Sequence, residues 1–187
     1  MKTRCFKQGG SINMYYKHYH RTLMIAVASA GVLVLTAAAA PKIGDSLPDL
    51  GKAELKGTIP DMEGKIVLVD FWASWCGPCR QSFPVMDKIY QEYKSKGLVV
   101  LAISVDEDAT AMEQFLKKHP VSFPILHDVK QKLVESAGIE TMPTSFLVDR
   151  KGKIVAVHNG FSLEKTEAEL RREIQQQIDA EEGGKTK

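Results

Sequence analysis

Two cysteines separated by two residues are the part of this sequence best suited to chemistry. They lie in Trp75-Cys76-Gly77-Pro78-Cys79, directly after an apolar run at 65–72 (KIVLVDFW) that predicts a buried strand, and at the start of a helical apolar spacing. A helix N-terminus carries unpaired N–H groups and a partial positive charge, so the pKa of the Cys76 thiol should be lowered. Cys79 follows one turn later, close enough for a disulfide with Cys76. The spacing therefore predicts thiol–disulfide exchange.

The predicted exchange has two steps and needs a proton acceptor. The Cys76 thiolate attacks a partner's disulfide, and Cys79 then attacks Cys76 and releases the reduced partner. Cys79 should point into the interior. Asp70, on the preceding strand, is the candidate base acting through water, because burial among apolar neighbours should raise the pKa of its carboxyl group. The alternative is that Asp70 lies solvated at a strand edge.

A pair of cysteines can also bind a metal ion. A structural zinc site needs four ligands, and Cys5 is the only other thiol in the chain. Copper delivery is a second alternative, in which His158 would be the third ligand beside Cys76 and Cys79. The exchange chemistry itself requires no metal and no other cofactor, so we expect none.

The first forty residues differ in character from the rest. They carry five of the 25 basic residues and none of the 23 acidic ones, and residues 23–40 form an uncharged run that ends in four alanines. This pattern is typical of a secretory signal peptide, or of a membrane anchor if it is not cleaved, with the protein beyond Pro41 outside the cytoplasm. Met14 is an alternative start. The remaining chain is mildly acidic, so it lacks the excess of basic residues that nucleic-acid binding requires.

Beyond residue 40 the apolar spacing alternates between strands and helices, which indicates one domain at 41–180 and a polar tail at 181–187. Strands are predicted at 65–72, 98–105, 144–149 and 153–158, and helices at 76–96, 108–119, from Asp128 to Gly138 and from Ser162 to Ile178. Leu163 is expected on the buried face of the last helix. This order predicts an α/β sandwich in which helices flank a mixed sheet.

These residues together resemble the thioredoxin superfamily. Residues 69–79 (VDFWASWCGPC) match its active-site strand and loop, Pro84 matches its helix-kinking proline, and Met142-Pro143-Thr144 matches its cis-proline loop. The resemblance implies that a cis Pro143 lies against the disulfide and that the backbone of Met142 pairs with an extended substrate segment.

The resemblance also assigns roles around Cys76. Trp75, Gly77 and Pro78 would form the active-site loop, with Trp75 and Pro78 as an apolar collar. The alternative for Trp75 is a residue of the core.

A longer segment between the cysteine motif and the cis-proline motif restricts the resemblance to one group within the superfamily. Residues 106–128 form an extra segment that a minimal thioredoxin lacks, and they could hold one helix and a short strand. Together with the N-terminal segment and the GIETMPT run at 138–144, this insertion makes the chain similar to TlpA/ResA-like proteins. The resemblance implies an envelope or periplasmic thiol–disulfide oxidoreductase that reduces exported proteins, with apocytochrome c in cytochrome c maturation as a candidate substrate. A membrane thiol relay would supply electrons. An oxidase or isomerase, a peroxidase and a purely binding adaptor are the alternatives.

Overall fold

The computed structural model describes residues 40–184, and describes side chains as far as residue 180. The predicted signal peptide or anchor at 1–40 therefore lies, apart from Ala40, outside the described residues. Within 40–184, no helix combines the length and apolar character needed to cross a membrane.

A mixed β-sheet forms the centre of the domain, as predicted. Its strands are β1 Leu55–Lys56, β2 Ile66–Trp72, β3 Leu98–Ser104, β4 Ile125–Asp128, β5 Thr144–Val148 and β6 Ile154–Asn159. They lie in the order β1-β4-β3-β2-β5-β6. Strand β2 is parallel to β3 and antiparallel to β5, and β3 is parallel to β4. Strands β1 and β6 lie at the two edges and are each antiparallel to their neighbour.

Helices flank this sheet. In the described range they are α1 Gly77–Tyr93, α2 Ala109–Lys118, α3 Lys132–Ser136 and α4 Lys165–Gly184, with short 3₁₀ helices at Leu50–Lys52 and Lys94–Lys96. The segment 106–128 holds α2 and β4, which confirms the predicted helix and short strand. Asp108 caps α2 as its position predicted, because its side chain accepts the Thr110 N–H at 2.8 Å.

Strand β2 is the most enclosed element of the fold. All seven of its residues are buried, because it has a neighbouring strand on each edge and packed side chains on both faces. At its end, the Trp72 ring lies 4.5 Å from that of Phe83 on α1 and 4.9 Å from that of Phe115 on α2, centroid to centroid. These aromatic contacts fix both helices against the strand that leads into the cysteine motif.

Helix α3 starts later than predicted. It begins at Lys132, because Gln131 adopts a left-handed backbone conformation with φ 54°. This conformation interrupts a right-handed helix, so the residues before Gln131 cannot belong to it. Asp128 still satisfies the helix end from outside: its Oδ2 accepts the N–H groups of Leu133 at 2.8 Å and Val134 at 2.9 Å. The capping function was therefore predicted correctly and the boundary was not.

Helix α4 also departs from the prediction. It begins at Lys165 rather than directly after Ser162, so Leu163 lies in the turn before it and is 52% exposed; its predicted burial is wrong. The buried apolar side chains of the helix, as far as residue 180, are Leu170, Ile174 and Ile178, as the spacing predicted. The helix continues to Gly184, which takes in the first residues of the polar segment at 181–187.

Candidate active site

The cysteine motif lies where β2 passes into α1. Cys76 is the N-cap residue of α1, in an extended conformation, and its Sγ accepts the Cys79 N–H at 3.1 Å. Gly77 and Pro78 occupy the first helical positions, where the missing N–H of proline costs no hydrogen bond. Cys76 and Cys79 are joined by a disulfide. Both sulfurs therefore lie at the positive end of one helix, as the spacing predicted.

The two sulfurs differ in access, and the residue next to them is open to solvent. Both cysteines are largely enclosed, but Cys76 keeps 4% of its surface open to solvent and Cys79 keeps none, so only Cys76 can be reached from outside. Trp75 is 70% exposed, which rules out the alternative that it is a core residue. A large exposed aromatic ring beside a reactive sulfur is suited to contact with a partner protein.

The second loop of the site precedes β5, and the sheet brings it to the cysteines. Since β2 and β5 are adjacent and antiparallel, with Phe71 opposite Thr144, the end of β2 and the beginning of β5 meet at one edge of the sheet. The Met142–Pro143 peptide bond is cis, as the resemblance implied. The Pro143 carbonyl accepts the Gly160 N–H at 2.7 Å, whereas the Met142 backbone bonds to no other described residue.

Asp70 is completely enclosed. It lies on the interior strand β2, where burial raises the pKa of its carboxyl group to about 7, although a hydrogen bond from the Ser145 hydroxyl to Oδ1 at 2.6 Å opposes the shift. Its other oxygen, Oδ2, has no partner among the described residues. The solvated-edge alternative is therefore wrong.

A second buried carboxylate, which the sequence analysis missed, holds the active-site loop. Asp106 follows β3 and is 2% exposed. Its oxygens accept the Ser74 N–H at 3.0 and 3.1 Å, the Ser74 hydroxyl at 2.7 Å and the Ser104 hydroxyl at 2.8 Å. His127 Nε2 lies 2.7 Å from the Asp106 carbonyl oxygen. The loop just before Cys76 is thus tied to β3 and β4 by charged and polar contacts.

The signal for Asp106 was its place in the sequence. A polar residue directly after a strand parallel to β2 must lie at the same sheet edge as the cysteine motif, which is where ligand sites form in such sheets.

The structure does not bring together the three ligands of the alternative copper site, Cys76, Cys79 and His158. His158 lies on β6, and its Nε2 is 2.8 Å from Glu173 on α4 rather than beside the cysteine sulfurs. No cluster of three or more His, Cys, Asp or Glu side chains suited to a metal ion occurs among the residues that the structure describes.

Comparison with known proteins agrees with this geometry. The profile of the redoxin family matches residues 37–174. The chain belongs to the redoxin family. Among its relatives is the thiol–disulfide oxidoreductase ResA of Bacillus anthracis, 36% identical over 117 residues, which are 61% of this chain and 68% of that protein. ResA of Bacillus subtilis is 30% identical over 145 residues, 74% of this chain and 81% of that protein.

Solved structures place this redoxin in the same group. A crystal structure from Chlorobium tepidum, named as a thiol:disulfide interchange protein DsbE, superimposes with a TM-score of 0.68 at 39% identity, over 73% of this chain and 98% of that one. The redoxin is therefore a thiol–disulfide oxidoreductase of the ResA and DsbE type, with a Cys76–Cys79 pair. The thioredoxin-like sandwich predicted from the sequence is confirmed.

Proposed function

We propose that this redoxin reduces disulfides in exported proteins, outside the cytoplasm. The observation that carries the proposal is the asymmetry of the cysteine pair: Cys76, at the N-terminus of α1, keeps 4% of its surface exposed, and Cys79, one turn behind it, is completely buried. A thiolate at a helix N-terminus that a partner can reach is suited to attack the partner's disulfide. A buried thiol beside it can reach only the mixed disulfide that results.

The proposed reaction balances in two exchanges. The Cys76 thiolate attacks one sulfur of the partner's disulfide, a Cys76–partner bond forms, and the partner's other sulfur leaves as a thiolate and takes up a proton. Cys79 then loses its proton and attacks the Cys76 sulfur, which closes the Cys76–Cys79 disulfide and releases the second partner thiol. Two electrons pass from the cysteine pair to the partner.

Asp70 is the proposed acceptor for the Cys79 proton, through water. A carboxylate with a pKa near 7 is matched to proton transfer at neutral pH. The proposed substrate contact is a strand-like pairing with the free backbone of Met142 next to the cis Pro143, with Trp75, Gly77 and Pro78 around the attacked sulfur.

The direction and the location of the reaction are part of the proposal. The Gly-Pro pair between the cysteines resembles thioredoxin, whose potential is about −270 mV and strongly reducing. The basic and apolar pattern of residues 1–40 supports export, by a signal peptide or a membrane anchor. A membrane thiol relay would re-reduce the pair, and apocytochrome c is one candidate substrate.

Insulin reduction tests the activity. The reduced protein should cleave insulin disulfides, the Cys76→Ser variant should not, and Cys79→Ser should accumulate mixed disulfides with insulin chains. A Cys5→Ser variant, which removes the third thiol of the chain, is the matched control and should react as wild type. Full activity of Cys76→Ser would refute the assignment of the nucleophile.

Equilibration with a thiol buffer tests the direction. We expect a potential near about −270 mV, and a value near about −120 mV, typical of a strong oxidant, would reverse the proposed direction.

A further inference from the structure

A cavity of about 690 Å³ connects the two loops of the active site. Ser74 and Trp75 line it from the cysteine loop, and Ile139 and Met142 line it from the segment before the cis-proline. Val105 and Val134 add apolar surface between them. A protein segment that is bonded to Cys76 and lies along Met142 would run beside this cavity, which we call the Trp75–Met142 cavity. Its apolar lining is suited to a hydrophobic side chain next to the attacked cysteine.

The charged residues of the Trp75–Met142 cavity are all acidic. Of the residues at 40–180, no Lys, Arg or His lines it, whereas Asp106, Glu107, Asp108 and Glu135 do. Glu107 and Glu135 are exposed, and neither forms an ion pair with another residue whose side chain the structure describes. Asp108 accepts an N–H at the start of α2, and Asp106 accepts only N–H and O–H groups, so no Lys, Arg or His side chain in the described part of the chain pairs with either of them. The cavity therefore presents uncompensated acidic groups to a partner.

The acidic character is local to this side of the cysteine loop. On the other side of Ser74 and Ala111 lies a second cavity of about 340 Å³, whose charged or titratable lining residues are Arg80, Lys118 and His119. The charged residues thus change from acidic to basic across the loop. The acidic side is the one that shares Met142, the residue proposed to pair with the substrate backbone. A basic side chain carried by a paired segment would consequently gain attraction there, beyond any effect of overall charge.

We propose that the Trp75–Met142 cavity selects, among protein disulfides, those whose cysteine lies in an extended segment with an apolar neighbour and nearby lysine or arginine residues. The inference rests on the proposed reductase function and names its substrate class. Apolar contact would place the segment, and Glu107 and Glu135 would attract its basic residues. An exported protein with acidic residues around its disulfide would be a poor substrate.

Disulfide-linked homodimers of short peptides test this selection, because attack at either sulfur is then equivalent. Three peptides share a central cysteine with an apolar neighbour and differ only at the two positions flanking this pair: both Lys, both Gln or both Glu. The reduced full-length protein is mixed with each dimer, and peptide thiol is quantified by chromatography after acid quenching. We expect the Lys dimer to react about tenfold faster than the Glu dimer at low ionic strength, as two partly screened ion pairs allow.

Charge-neutralising variants assign the preference to the cavity. The double variant Glu107→Gln/Glu135→Gln should reduce the Lys-to-Glu rate ratio to about two or less. The matched control Glu113→Gln/Glu164→Gln removes the same charge from exposed positions outside the cavity and should keep the wild-type ratio. About 0.5 M salt should compress the ratio in wild type and control alike.

The outcomes separate the inference from the function on which it rests. Equal rates for the three dimers, or a ratio that survives in Glu107→Gln/Glu135→Gln, would overturn the substrate selection while reduction itself stands. If the wild type reduces none of the dimers and also fails to reduce the small neutral disulfide of 2-hydroxyethanethiol, the reductase function is overturned and the selection with it.

Discussion

Replacement of Asp70 by asparagine is the sharpest test of the buried site. Asn is nearly the same size, and its side-chain oxygen can still accept the Ser145 hydroxyl, but it cannot ionise. In the wild type, the carboxyl pKa rises from 3.8 to about 7 on folding, because burial disfavours the charged form. The folded state therefore holds one proton more than the unfolded state between these two pH values, so wild-type stability should fall as pH rises through that window.

The size of the effect follows from the shift. About three pKa units at about 1.4 kcal/mol each give about 4 kcal/mol of stability that the wild type loses between about pH 4 and about pH 8. The Asp70→Asn variant has no such loss. It should match the wild type within about 1 kcal/mol in acid and exceed it by about 4 kcal/mol in mild alkali.

Urea unfolding of the oxidised proteins across this pH range measures the difference. The Glu113→Gln variant, which removes one exposed charge, should follow the wild-type profile. A constant gap between Asp70→Asn and wild type at every pH would show that Asp70 does not titrate with a raised pKa. The same variant should lack the step near pH 7 in the rate at which Cys79 resolves a mixed disulfide. If that step persists, Asp70 is not the proton acceptor.

Three further substitutions probe what supports the site. Asp106→Ala should lower the unfolding free energy by about 3 kcal/mol and slow insulin reduction, because the Ser74 N–H loses its charged acceptor; unchanged values in both assays would refute the loop-anchoring role. Phe83→Ala should cost about 4 kcal/mol in chemical unfolding, since it empties the centre of the aromatic cluster, and a loss below about 1 kcal/mol would contradict that packing. Gly57→Ala should destabilise by about 2 kcal/mol or more in thermal unfolding, since φ is 116° and a Cβ would lie 2.6 Å from Leu126; a neutral result would show that the β1 segment can shift.

Much of the fold was predictable because its signals are local. The apolar run at 65–72 predicted β2 to within one residue at its start, and Asp108 marked the beginning of α2 by its capping chemistry. The cysteine spacing and its place at a strand–helix junction were enough to predict the disulfide and the different exposure of its two sulfurs. Each of these features depends on residues within a few positions of one another.

The features of the site that the sequence does not predict depend on contacts between distant segments. The hydrogen bonds from Ser74 to Asp106 join residues 32 positions apart, and they exist only because β2 and β3 lie side by side. The acidic lining of the Trp75–Met142 cavity likewise comes from segments that the fold brings together. The exposure of Leu163 has a different and local origin: helical spacing predicts a buried face only once the first residue of the helix is known, and this helix begins at Lys165.

The hairpin between β5 and β6 turns at the edge of the sheet away from the cysteines. Val148 pairs with Val67 near the beginning of β2, whereas Thr144 pairs with Phe71 near its end. Gly152 in this turn is open to solvent on its side-chain side: apart from its chain neighbours, no atom would lie within 4 Å of a Cβ at this position. A fluorescent or electrode-binding tag inserted between Lys151 and Gly152 would thus be carried at the opposite pole from the reactive sulfur. The domain could in this way be engineered as a redox probe whose partners still approach unhindered.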